Sequence, residues 1–177
     1  MTDPLQPGPA AQSIAILRQG ESIVRRIGAE AYARRPAVSP EASVGGHFRH
    51  CLDFYSAFLD GLDGGRIDYD GRRRDPDIET DPAQAAESCR ALVARLEHLD
   101  ATDLARPVKV RLDGGVPGGP EWTDSTLGRE CVFLASHTIH HYALIATVMR
   151  ALGIETDPHF GVAPSTLEHW KRTRPGV

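Results

Sequence analysis

The sequence predicts an all-α fold, a four-helix bundle with a small extended excursion before its last long helix. Three observations carry that reading. Apolar residues recur at helical spacing in four long stretches. The 17 glycines and 13 prolines fall mostly between those stretches. A chain of 177 residues is long enough for one sizeable core and too short for two comfortable ones. The expectation is therefore a single domain over residues 1–177, with its core in about 10–153 and a tail over 154–177.

The first helix is expected over residues 10–33, where Ile14, Leu17, Ile23, Val24 and Ile27 form an apolar stripe and Pro9 permits a start. The second is expected over 39–62, with Ser39 as N-cap and Pro40 in the first helical position. Val44, Phe48, Cys51, Tyr55, Phe58 and Leu62 make its buried face. Residues 63–80 mix turn formers with charge and show no helical period, so they read as a long loop, a kind of segment that is often functional. The third helix runs over 81–99, capped by Asp81 with Pro82 next, and buries Leu92, Val93 and Leu96. Val108-Lys-Val-Arg-Leu112 alternates apolar and charged residues, and Gly114, Gly115, Pro117, Gly118, Gly119 and Pro120 follow. That pattern predicts a small hairpin or extended excursion rather than the core of a sheet. The fourth helix runs over 125–152, stopped by Gly153, with Leu127, Leu134, Ile145, Val148 and Leu152 on one stripe. A short helix starts at Pro164-Ser165 and passes through His169 and Trp170.

Composition narrows the function classes. A net charge of −4 with 20 basic residues provides no broad basic surface, which argues against nucleic acid as a partner. No stretch approaches about 18 uninterrupted apolar residues, and the N-terminus lacks the pattern of a secretory signal. The expectation is a cytoplasmic protein with no membrane partner. Cys51, Cys89 and Cys131 are odd in number and have no CxxC spacing, so they read as small apolar core residues.

The histidines carry the chemistry. His137 and His141 lie one turn apart within the apolar stripe of the fourth helix, whereas His140 projects more than a right angle away. Imidazoles at i, i+4 can place two nitrogens ~3–4 Å apart, a spacing suited to a divalent metal, although such a pair also serves as hydrogen-bonded core. A second helix has to complete a site. The second helix offers His47 and His50, ~60° apart. Periodicity favours His47, which lies nearer the centre of the stripe, while His50 shares an edge with Phe54. Gly45 and Gly46 weaken that helix turn and admit a close neighbour. Glu130, two turns before His137 on the same face, is a candidate base or an orienting partner for His137, or simply a carboxylate favoured by the helix N-terminus. The run Arg72-Arg73-Arg74, with Arg73 taken as the candidate cofactor-binding residue, can clamp an anionic ligand or form a solvated ion-pair loop. Trp122 and Trp170 can wall a pocket or belong to the core.

Ser43-Val44 followed by His50-Cys-Leu-Asp53, together with His137-Thr-Ile-His-His141-Tyr-Ala-Leu-Ile, resembles the DinB/YfiT-like family of small metal-binding four-helix proteins. The resemblance covers about residues 10–153. It implies a metal site made of one second-helix histidine in an H-x-x-D-like context and an H-x-x-x-H pair, hence His50, His137 and His141, with His47 in reserve. It further implies a divalent ion such as zinc or nickel, and a transferase that uses a low-molecular-weight thiol or a hydrolase acting on a small-molecule substrate. A homodimer is the implied assembly. Relatives often continue past the second histidine with Arg-Gly-Gln, where this chain has Tyr142-Ala-Leu. The alternatives are a metal-binding or stress-response module without turnover, and a metal-free interaction bundle. Three protein nitrogens with one open position is the arrangement of a catalytic rather than a structural ion.

Overall fold

A computed structural model of the chain describes residues 9–99, 101–113 and 121–173. Four long helices form the bundle: α1 (Pro9–Val24), α3 (Val44–Asp60), α5 (Pro82–Leu96) and α7 (Leu127–Ala151). Short helices α2 (Ala29–Ala33), α4 (Pro76–Thr80), α6 (Ala101–Leu104) and α8 (Pro164–Thr173) fill the connections. The fold class is all-α as expected, with α1 packed on α5 and α7, and α3 packed on α7, α4 and α5.

The third and fourth helices begin and end close to where their capping residues put them. The Asp81 side chain accepts from the Ala83 amide ahead of α5, and Pro82 fills the first position. Thr126 accepts from Arg129 ahead of α7, and Gly153 leaves that helix at φ 75°. The first helix is shorter than its periodicity suggests. It stops at Val24, and the extended Gly28 starts α2, which turns Tyr32 fully into the core with its hydroxyl donating to the Ile78 carbonyl at 2.7 Å. The second helix begins later than Ser39. Ser39 only closes a turn onto the Ala42 carbonyl, and the buried Ser43 is the cap, accepting from the Gly46 amide at 3.0 Å. Pro40 favours Ser39 locally, yet the start goes to Ser43, whose successors Val44 and Gly45 are buried.

The expected loop over 63–80 contains structure. β1 (Arg66–Asp68) joins β2 (Pro107–Arg111) in parallel, and β2 pairs antiparallel with β3 (Thr123–Thr126). The alternation at Val108–Val110 is thus a real strand, with both valines buried along with Ile67 against the bundle. Asp75 caps α4, with Pro76 next. The strands are too short for their periodicity to stand out in sequence, and β1 owes its form to β2, about forty residues away. Gly114, Gly115, Pro117, Gly118, Gly119 and Pro120 lie outside the described residues. After α7 the chain turns back at Gly161 (φ 73°), so that the buried Phe160 stacks on Tyr142 at 4.8 Å. The three cysteines are free and buried, as expected of core residues.

The two glycines that open α3 differ in what surrounds them. A methyl group on Gly45 would lie 2.0 Å from the Glu79 carbonyl oxygen and 2.7 Å from the Tyr32 ring, whereas one on Gly46 meets nothing closer than 3.6 Å. Gly45→Ala is therefore expected to destabilise by about 1–3 kcal/mol through overpacking, and Gly46→Ala to stabilise by roughly 0.5–1 kcal/mol through lower chain entropy. Chemical denaturation of the two variants checks this. Equal effects would contradict the close approach of α4 to α3.

Candidate metal centre

The facing sides of α3 and α7 hold four imidazoles. His50 Nε2 and His137 Nε2 are 2.9 Å apart, and His47 Nδ1 and His141 Nδ1 are 3.0 Å apart. The His50 ring centroid is 4.6 Å from that of His141, as is the His137 centroid. One nitrogen from each of His50, His137 and His141 falls in a set whose members all lie within 4.8 Å of one another. His140 is exposed, its ring 5.5 Å from that of His141. The structure thus brings together the three residues named by the family resemblance and sets His47 beside them, although helix periodicity favours His47 for the central place. His50 reaches the centre from the edge of its stripe by packing on Phe54 at 4.9 Å.

Electrostatics keep this cluster neutral. Burial is the first cause that lowers the proton affinity of all four rings, followed by repulsion among the rings and from nearby arginines. His50 is brought down to about 4 and His141 to about 3. Neutral imidazoles retain the lone pairs that a metal needs. The donor chemistry fits a divalent ion: all-nitrogen, uncharged, partly desolvated, with a 2.9 Å His50–His137 separation near the ~3.3 Å edge of a tetrahedral shell with ~2.05 Å bonds.

An aromatic wall borders the pair. Phe54 lies 4.8 Å from His137 and 5.0 Å from Tyr69, and Phe133 stacks on His137 at 5.6 Å. Of the arginine run, Arg73 is 87% exposed and pairs only loosely with Asp75, at 3.8 Å. Arg72 is the residue that reaches the site. Its guanidinium carbon sits 4.5 Å over the Phe54 ring, one amino group donates to the Tyr69 carbonyl, and its positive charge bears on both His50 and His137. The buried Arg72 Nε–H meets no acceptor among the described residues. Sequence alone does not separate three consecutive arginines, because the choice depends on how β1 and Tyr69 aim the following turn.

Glu130 is 1% exposed, and both of its oxygens are engaged: Oε2 accepts from the Tyr69 hydroxyl at 2.9 Å and Oε1 from Ser125 at 2.6 Å, with Arg129 at 3.1 Å. Its hydrogen bonds tie β3 and the segment after β1 to the first turn of α7, where a carboxylate also suits the helix dipole. Behind His50, the buried Asp53 accepts from Arg49 at 3.1 Å and from the Asp75 backbone, and Arg49 bonds Glu79 at 2.8 Å. Burial pushes the Asp53 carboxyl upward against the pull of Arg49. Asp53 completes the H-x-x-D spacing, and its bond to the Asp75 backbone ties α3 to the segment that follows Arg72. Trp122 stacks under Arg66 at 4.2 Å on the sheet rather than lining the histidines.

The four histidines make stability depend on pH. Histidines of the unfolded chain protonate near 6.5, whereas folded His50 and His141 do so only near about 4 and about 3. The unfolded state therefore binds more protons between those values, so stability falls as pH drops through that window. In metal-free protein the urea midpoint is expected to decline from pH 6.5 to 4, with a shallower slope in a His50→Gln/His141→Gln double variant. Identical slopes would contradict a cluster buried in its neutral form.

Comparison with known proteins places the chain in a family. The model of the DinB superfamily matches residues 18–145, a span that includes all four clustered histidines. FK506-binding protein 5 of Rhizopus delemar is 32% identical over 107 residues, 60% of this chain and 28% of that protein. The chain thus spans little more than a quarter of that relative's length. No solved structure gives a significant match.

Proposed function

The chain belongs to the DinB superfamily, and on that premise we propose that it is a divalent-metal-dependent enzyme that either joins a low-molecular-weight thiol to a small substrate or hydrolyses that substrate with water. The observation that supports this reading most directly is the set of three imidazole nitrogens, from two helices, within 4.8 Å of one another. His50, His137 and His141 would hold the ion, zinc or nickel by ligand type. A three-nitrogen set with a free position supplies Lewis acidity, which eases proton loss from a thiol or water placed there.

The surrounding residues support the thiol reading. Phe54, Phe133 and Tyr69 give one side of the site an apolar wall that favours a soft, weakly hydrated group over bulk water. Arg72 feels the charges of Asp53 and Asp70, and its buried Nε–H has no hydrogen-bond acceptor among the described residues, so an anionic ligand at the rim would meet a guanidinium with a donor to spare. We assign the anion-orienting role to Arg72 in place of Arg73. Glu130, already committed to Tyr69 and Ser125, serves as a scaffold for the wall and not as the base. The same metal centre without turnover is the competing reading, and it requires that the fourth position be closed to added ligands.

Elemental analysis of untagged, metal-reconstituted protein is expected to give about one divalent ion per chain, and far less in His50→Ala and His137→Ala. The absorption bands of a cobalt-substituted sample should shift when a carboxylate-bearing thiol is added. Arg72→Leu should weaken that thiol about tenfold or more, the effect of losing one charge-assisted bond, without changing cobalt content. Bands indifferent to every thiol tested would remove the enzymatic reading and leave the metal-binding one.

A further inference from the structure

Resting on that metal-site reading, we infer that His47 is a positioning residue whose Nδ1 accepts the Nδ1–H of His141 and thereby fixes the tautomer in which His141 offers Nε2 to the ion. The two Nδ1 atoms lie 3.0 Å apart, at hydrogen-bond distance, so one of them carries the proton and the other the lone pair. His47 is absent from the set of nitrogens that lie within 4.8 Å of one another. It stands beside one member of the set and outside the whole.

The direction of the bond follows from the chemistry of a neutral imidazole. A ring that gives its Nε2 lone pair to a cation keeps its proton on Nδ1. His141 must then be the donor and His47 the acceptor, with the His47 proton on its own Nε2. With His141 Nδ1 engaged by His47, Nε2 is the nitrogen left for the set shared with His50 and His137, and the opposite assignment would put the proton there and remove that ring from the site. Histidines that bind metals commonly give their second N–H to an acceptor that sets ring orientation. Here the acceptor is a second imidazole, one turn before His50 on the same helix, its backbone held by the His47 amide bonding the Ser43 carbonyl at 3.1 Å. The consequence is that α3 contributes twice: His50 as ligand, and His47 as the group that aims a ligand of α7.

His47→Phe keeps a ring and removes the acceptor, while His47→Gln restores an acceptor through its amide oxygen. Zinc affinity, measured by competition with a chromogenic chelator, is expected to fall 10–100-fold in His47→Phe and to recover largely in His47→Gln, with one zinc per chain at saturation in both. Long-range proton–nitrogen correlation spectra of the zinc-loaded parent should show His141 protonated at Nδ1 and metallated at Nε2. Thermal midpoints of the metal-free variants confirm that both are folded. Unchanged affinity in His47→Phe, or a His141 proton on Nε2, overturns the assignment while the three-histidine site stands. Loss of stoichiometric zinc from both variants also overturns it, since His47 would then be a ligand. A parent that takes up no zinc defeats this inference and the metal reading together.

Discussion

The rotational setting of α7 against α3 is the constraint on which the rest depends. A helix advances ~100° per residue, so a slip of one position would turn His137 and His141 away from His50. Tyr142 prevents the slip. Its ring packs on Phe48 of α3 at 5.6 Å and stacks on Phe160 of the returning tail at 4.8 Å. Its tip fits against Gly20 of α1, where a methyl group would come within 1.9 Å of the hydroxyl. Three elements thus grip the residue that follows His141. The residue that follows His141 is a fully buried aromatic lock.

Packing of this kind brings together groups that do not stabilise the fold by themselves. Four half-buried imidazoles at 2.9–3.0 Å contacts surrender hydration and gain no salt bridge, because burial and mutual repulsion hold them uncharged. The carboxylates that might have neutralised protonated rings are directed elsewhere: Asp53 and Glu79 to Arg49, Glu130 to Tyr69 and Ser125. The positive charge of Arg72 repels protons from both His50 and His137. A region that departs from local stability rules in so consistent a direction, lone pairs inward and cations at the rim, is the signature of a site and not of a core. The sheet has its meaning in this context, since β1 delivers Tyr69 and then Arg72 to the wall.

Much of this architecture was legible in the sequence where a local signal and the tertiary structure coincide. Asp81-Pro82 and Thr126 before a long apolar period define α5 and α7, and the H-x-x-x-H spacing on α7 already places two imidazoles on the inner stripe. Other features depend on partners remote in the chain. Ser39, with Pro40 after it, is the cap that local signals favour, and only burial around Ser43 moves the start there. The end of α1 and the start of α2 are decided by the place Tyr32 takes against Ile78. His50 looks peripheral by periodicity because Phe54, its neighbour on that edge, is itself drawn inward by Tyr69 and His137. Arg72 is distinguished from Arg73 only by the turn after β1.

X-ray absorption at the metal edge of zinc- or nickel-loaded protein reads the ligands of the ion itself. A three-histidine centre gives three imidazole nitrogens at about 2.0–2.1 Å, with one further light-atom ligand that is replaced by sulfur when a thiol is added. A shell of four imidazoles indifferent to thiol, or a protein that retains no metal, would contradict it.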